Sequence, residues 1–159
     1  MSSGAHIFSR FLHDKRGVAA VEAAIITPFL AVLALGAIDG SYMLLQNHKM
    51  EQALVAAANF MSIAEDPRLV EGAAKKIAVT GTTDPAAAPR IKNWTTDDIT
   101  IDYKMVSNQN GNYRGGAFIR VVDIRASHPY DGFGIIKALS GGGVTLNAQY
   151  QQRMTGTVQ

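Results

Sequence analysis

The sequence predicts an α+β fold in which one long N-terminal helix packs on a small antiparallel sheet of about three strands. Three observations support this fold class. Residues 18–38 form an almost unbroken apolar run, residues 41–64 carry apolar side chains at helical spacing, and segments after residue 98 alternate apolar and polar side chains. The 159 residues are enough for one modest domain and an accessory segment.

Composition excludes several classes of function. The formal net charge is only +2, and the basic residues are dispersed rather than clustered among aromatic side chains, so we predict no nucleic-acid partner. The chain has no cysteine, which excludes disulfides, cysteine nucleophiles and thiolate metal sites.

The apolar run has the length of a membrane helix. At about 1.5 Å per residue it spans about 31 Å, which matches a hydrocarbon core of about 30 Å. Ten of its residues are Val, Ile, Leu or Phe. Together they favour insertion by on the order of 3 to 6 kcal/mol. We therefore predict a transmembrane helix over residues 18–40, with membrane lipid as its surroundings.

The charges on either side of this helix predict its orientation. The leader, residues 1–17, contains Arg10, Lys15 and Arg16, whereas the flank that follows the apolar run is not basic. The positive-inside rule then places the leader in the cytoplasm and residues 41–159 on the other side. Pro28 lies within the span and is expected to kink the helix, with neighbouring helices or Thr27 partly replacing the lost hydrogen bond.

Two interpretations of this region remain open. An ordinary signal peptide would be cut at the A-x-G site of residues 34–36, whereas a retained membrane helix would begin at Gly17.

Glu22 has two interpretations as well. A carboxylate within a membrane span is a functional candidate, but one so close to the helix end can also reach the headgroups.

The stretch KRGVAAVEAAIITPFL, which begins at Lys15, resembles the N-terminus of the TadE-like pseudopilins, minor pilins of the tight-adherence (Flp) pilus systems. It has basic residues before Gly17, Glu22 five residues after that glycine, and Pro28 within the span. The resemblance extends to about residue 60 and includes Gly36 and Asp39. Ala23 departs from it, since Flp-type prepilins usually carry an aromatic residue after the glutamate.

The resemblance implies how the protein would be processed, where it would lie and which partners it would have. A prepilin peptidase would cut between Gly17 and Val18, and Glu22 would then partner the freed amine of Val18. The protein would lie in the bacterial inner membrane with a cytoplasmic N-terminus and a periplasmic domain. Its partners would be other pilins or pseudopilins and the inner-membrane pilus platform, and its role would be pilus assembly for cell adhesion.

The residues after the span read as a continuation of the helix over 41–64. An apolar stripe on this helix either packs on the chain's own domain or forms an assembly seam with other subunits. Gly36 and Gly40 form a small-xxx-small pair that could let two helices approach. The stripe consists of Met43, Met50, Leu54, Ala57, Met61 and Ala64.

The residues from 66 onward predict the elements of the small domain. A helix is expected over residues 67–79, with Asp66 as its cap and Pro67 at its first position. A loop follows over 81–89, and strands over 99–106, 118–126 and 144–151 flank a polar hairpin loop at 107–116. The segment 128–139 interrupts the second and third strands as a short helix at the sheet end or on the membrane surface, and 140–143 is a turn.

No catalytic constellation stands out. The four histidines are isolated, the glycine run 141–143 lacks the lysine of a phosphate loop, and the acids Asp97, Asp98 and Asp102 are expected to be solvated. We therefore predict a structural subunit, not an enzyme, with no cofactor and no metal. The alternatives are a secreted or anchored binding module and a single-pass membrane enzyme, which a deep pocket of titratable groups would indicate.

Overall fold

The computed structural model describes residues 15–84, 86–110 and 117–154. The leader residues 1–14 and the hairpin tip 111–116 of the predicted organisation lie outside the described residues.

The first element, α1, is a single helix of 48 residues, Lys15–Ser62. It continues through Pro28 and through the predicted boundary between membrane span and domain. The sequence predicted this continuity, because helical periodicity resumes directly after the apolar run. Only the second half of α1 is flanked by the rest of the described chain: residues 17–35 are exposed, whereas buried positions recur from Asp39 onward.

Two shorter helices and three strands complete the domain. Helix α2 is Glu71–Thr80, a 3-10 turn covers Thr96–Asp98, and α3 is Ile135–Ser140. The strands are β1 (Ile99–Ser107), β2 (Phe118–Pro129) and β3 (Thr145–Arg153), in the antiparallel order β1-β2-β3. In register, Ile124 of β2 lies between Ile101 and Tyr150. The predicted α+β fold class is confirmed.

The hydrophobic core lies between the second half of α1, α2 and one face of the sheet. Helix α1 contributes Met50, Leu54 and Met61, all completely buried. The predicted apolar stripe therefore packs on the chain's own domain. The sheet contributes alternate residues, as strand geometry requires; the buried ones are Ile99, Val122, Ile124, Ala126, Leu146 and Ala148.

Two predicted boundaries were wrong. The second helix does not begin at Pro67. Asp66 accepts a hydrogen bond from the backbone N–H of Arg68, residues 67–70 form a turn, and the helix starts at Glu71 after Val70. The second strand does not end at residue 126 but continues to Pro129, which pairs with Thr145. Proline is tolerated there because it occupies the last position of the ladder.

Candidate functional site

The exposed half of α1 is the most unusual surface of the described chain. All ten Val, Ile, Leu and Phe side chains between Val18 and Ile38 are at least 50% exposed. An apolar surface of this extent is unfavourable in water and marks a membrane or protein contact. Within the described residues, α1 is the one helix that is long and apolar enough to cross a membrane.

Four of the predicted site residues lie on this exposed half. Gly17 and Val18 are in its first turns, and a Cβ added at Gly17 would meet no atom within 4 Å. Glu22 follows one turn after Val18, on the same face of the helix. Pro28 lies further along and, with Phe29, Val32 and Leu33, lines a shallow apolar groove on the helix surface.

The Thr27 hydroxyl does not provide the compensation expected at Pro28. Proline has no N–H, so the carbonyl of Ala24 loses its helical donor. The hydroxyl of Thr27 donates to the carbonyl of Ala23, at 2.6 Å. Thr27 therefore bonds to the carbonyl next to the one that Pro28 leaves free.

Gly36 and Gly40 are placed differently from the other four. A Cβ at Gly36 would lie 3.8 Å from Cγ2 of Ile135, and one at Gly40 would lie 4.0 Å from Cδ1 of Ile136. The two glycines therefore face α3 of their own chain. Both distances are ordinary van der Waals spacing, so a side chain as small as alanine would also fit beside α3. A close approach of two helices at the small-xxx-small pair stays a prediction.

Asp39 holds this junction together. It is completely buried, and its Oδ1 accepts hydrogen bonds from the Tyr130 hydroxyl at 2.5 Å and the Phe133 N–H at 3.0 Å. Its Oδ2 accepts a third from the Ile136 N–H, at 2.9 Å. We call Asp39, Tyr130, Phe133 and Ile136 the Asp39 clasp. It joins residues more than 90 positions apart in sequence.

Gly132 makes the clasp possible. A Cβ at this position would overlap the Tyr130 hydroxyl and the Asp39 carboxylate. Glycine is therefore required by close approach. The chain can then bring a phenol and two backbone N–H groups to one carboxylate.

The clasp explains how an acid can lie at the end of an apolar helix. A carboxylate removed from water is costly unless hydrogen bonds replace its hydration. Asp39 receives three, two of them from backbone N–H groups, and one of these, that of Ile136, lies in the first turn of α3, where N–H groups have no partner within the helix. Burial and the bond to the Asp39 carboxylate raise the pKa of Tyr130, so the phenol stays protonated and remains a donor.

A second polar cluster lies on the outer face of the sheet. Asp123 on the central strand is completely buried beneath three neighbours: Lys104 at 2.5 Å, Arg125 at 2.6 Å and Gln149 at 2.8 Å. Burial alone would raise the pKa of Asp123, but the bonds from Lys104 and Gln149 and the charge of Arg125 hold it below its usual range. This arrangement is a structural ion cluster that joins all three strands.

Of the other titratable side chains that the sequence analysis considered, His128, Asp98 and Asp102 have structural contacts. His128, expected at a loop start, is buried in β2, with Nδ1 3.2 Å from Asp98 and Nε2 3.1 Å from the Lys92 carbonyl. Asp98 also accepts from the Thr95 N–H, so it is not simply solvated. Asp102 lies 3.5 Å from Arg125, whereas Asp97 is exposed. Among the described residues, no three His, Asp or Glu side chains converge as metal ligands.

Sequence reasoning named Asp39 but missed its role. It treated the residue as part of a non-basic flank, whereas the structure makes it the centre of the junction. The sequence did contain a signal for this role, because a carboxylate so close to an apolar span needs hydrogen-bond donors to replace its hydration. Its partners are not identifiable from local pattern, because they lie in the segment between β2 and β3.

Comparison with known proteins gives a match that covers most of α1. The family model described as TadE-like protein matches residues 17–59. No curated protein and no solved structure matches the chain. The match starts at Gly17, covers the exposed half of α1 and the clasp residue Asp39, and ends within the helix that enters the core. It confirms the predicted resemblance and suggests a protein associated with Tad/Flp pili, and the N-terminal helix could span a membrane. Over residues 17–59, this chain is similar to the TadE-like proteins.

Proposed function

We propose that the chain is a pilin-like structural or assembly subunit of a Flp-type adhesive pilus. It is anchored in the bacterial inner membrane through residues 18–40, with the leader 1–17 in the cytoplasm and residues 41–159 in the periplasm. The observation that carries this proposal is the division of α1 into an exposed apolar half that matches the TadE-like family and a half that forms the core of a domain.

The exposed half of α1 needs an environment that the described part of the chain does not provide. Lipid supplies it before assembly, and the helices of neighbouring subunits can supply it afterwards, because both cover apolar side chains. A helix that is apolar all round suits this exchange better than one with a single apolar face. Pilins, pseudopilins and the membrane platform are therefore the proposed partners.

Processing by a prepilin peptidase would prepare the helix for assembly. The cut after Gly17 removes the basic leader and frees the amine of Val18. Val18 and Glu22 are four residues apart, so both project from one face of the helix. The carboxylate can then pair with the amine of its own or a neighbouring chain, which lowers the cost of keeping both charges in lipid.

The fold favours a retained helix over an ordinary signal peptide. A cut at the A-x-G site would sever α1 after Gly36, where the helix already packs on Ile135. It would also leave the Asp39 clasp three residues from a new chain end. The secreted binding module is therefore the weaker alternative. Gly36 and Gly40 would contribute to assembly by fixing the position of the domain on the anchor.

Genetic replacement in the host tests the proposal. Deletion of the chain is expected to reduce surface pili and adhesion, and the wild-type chain is expected to restore both. Glu22→Gln, which removes the charge that pairs with Val18, is expected to accumulate in membranes but not to restore pili. The matched control is Glu51→Gln on the exposed surface of the same helix, which is expected to restore them. Unchanged pili after deletion would contradict the proposed function.

A further inference from the structure

The segment between β2 and β3 presents an apolar surface beside the end of the membrane span. We propose that the surface formed by Phe133, Ile135 and Leu139 docks into the interfacial layer of the same membrane that α1 crosses. This inference rests on the proposed anchoring of α1. It adds a second membrane contact, made by the domain.

The position of α3 along α1 places it at the membrane boundary. Asp39 is 21 residues after Val18, or about 32 Å along a helix. A hydrocarbon core is about 30 Å thick. The clasp fixes the start of α3 at the level of Asp39, and Ile135 reaches Gly36, one turn closer to the membrane centre. If residues 18–38 lie in the hydrocarbon, α3 must lie at the level of the lipid headgroups.

The exposed side chains of this segment suit a lipid interface. Phe133, just before α3, is 68% exposed, and Leu139, within α3, is 74% exposed, whereas Ile135 and Ile136 are half-buried. The Phe133 ring lies 5.6 Å from the ring of Tyr42, which in turn lies 6.4 Å from that of Tyr130. Aromatic side chains are enriched at the level of the headgroups because they combine an apolar body with polar or polarisable edges.

Charge and continuity select lipid as the occupant. Lys137 is exposed on the same short helix, where its ammonium can reach lipid phosphates while its stem lies along apolar surface. The patch also continues the exposed surface of α1, whose last apolar side chains, Leu35 and Ile38, lie at the same level. One lipid layer would therefore cover both surfaces.

The contact would restrict the domain as well as cover the patch. A domain held only by a helix can tilt with it, whereas a second contact beside the helix fixes the domain's height and orientation over the membrane. The clasp would transmit this constraint, because it ties the docking segment to α1 through three hydrogen bonds.

Depth measurements on the full chain test the proposal. The chain has no cysteine, so single-cysteine variants carry one nitroxide label each. Phe133→Cys and Leu139→Cys report on the patch, Leu30→Cys on the span, and Leu69→Cys, which replaces a side chain that is 84% exposed in the turn before α2, on the aqueous side. The proteins are reconstituted in vesicles of phosphatidylethanolamine and phosphatidylglycerol, and accessibility to oxygen and to a water-soluble nickel complex is measured.

The labels at 133 and 139 are expected to show a several-fold higher oxygen-to-nickel ratio than the label at 69, at a depth of about 5 to 10 Å. Ratios equal to that at 69, with the label at 30 deep in lipid, would overturn the docking and leave the anchoring intact. A nickel-accessible label at 30 would overturn both. A second copy of the chain on the patch would overturn the lipid assignment. It would be shown if the labels at 133 and 139 were inaccessible to both reagents. It would also be shown if their spectra were broadened by spin–spin coupling between copies and sharpened on dilution with unlabelled protein.

Discussion

At the scale of single residues, Asp39 connects α1 to the segment between β2 and β3. It lies on the helix that carries the TadE-like match, and it binds the segment between the last two strands through three hydrogen bonds. An acid in this position is unfavourable unless its donors are present. The exposed apolar half of α1 and the domain are therefore joined through a polar contact with defined geometry.

Removal of the Tyr130 hydroxyl tests the strength of this junction. Tyr130→Phe is expected to lower the free energy of unfolding by about 1.5 to 3 kcal/mol, because a buried carboxylate loses one donor. Tyr150→Phe is the control, since its half-buried hydroxyl bonds to the neutral side chain of Gln152, and its cost is expected to be about 0.5 kcal/mol. Thermal unfolding of the full chain in detergent measures both. Equal losses in the two variants would contradict the clasp.

Asp123 predicts how stability depends on pH. Its pKa is lower in the folded protein than the usual value of about 3.9. The ionised carboxylate therefore contributes stability that is complete above that value and is lost as pH falls through the folded pKa. The slope from this one group is at most about 1.4 kcal/mol per pH unit.

The Asp123→Asn variant isolates this contribution. It is expected to be less stable than wild type at pH 7, because Lys104 and Arg125 lose their shared partner. Below pH 4 the difference is expected to shrink as wild type loses the same interaction. Unfolding in denaturant at a series of pH values makes the measurement. A difference that stays constant down to the acid limit would show that Asp123 has an ordinary pKa.

At the scale of elements, sequence periodicity was most informative where one pattern continued over many residues. The apolar run and the stripe after it predicted α1. Alternation predicted the first and third strands, and the apolar segment after the polar hairpin loop predicted the second. The errors lie at ends, where local rules compete. Pro67 is a favourable first helical residue, yet the chain turns for four more residues before α2. Pro129 lacks an N–H, yet β2 includes it because the ladder ends there.

The buried and exposed faces of the second half of α1 predict opposite sensitivities to side-chain truncation. Leu54→Ala is expected to cost about 2 to 5 kcal/mol, because Leu54 is completely buried in the domain core. Leu44→Ala, on the same helix but 59% exposed, is expected to change stability by about 0.5 kcal/mol or less. Chemical unfolding of the two variants gives the comparison. A small effect at Leu54 would indicate that the stripe faces other subunits instead.

At the scale of the whole molecule, the described residues combine an apolar helical segment that is exposed with a domain that has its own core. The sequence predicted this division because hydropathy and periodicity are local properties. It could not predict the contact between them, since Asp39 meets Tyr130, Phe133 and Ile136 only after the sheet has formed. The same limitation applies to Asp123, whose partners Lys104 and Gln149 come from two other strands.

The central claim is that this chain is processed and assembled as a pilin-like subunit, and its N-terminus tests that claim most directly. The protein should be purified from membranes of its own host, and its intact mass and first residues determined. The account predicts a chain that begins at Val18. A chain that begins near Ala37 would mean an ordinary signal peptide, and one that still begins at Met1 or Ser2 would mean that no prepilin peptidase acts on it; either start would contradict the account.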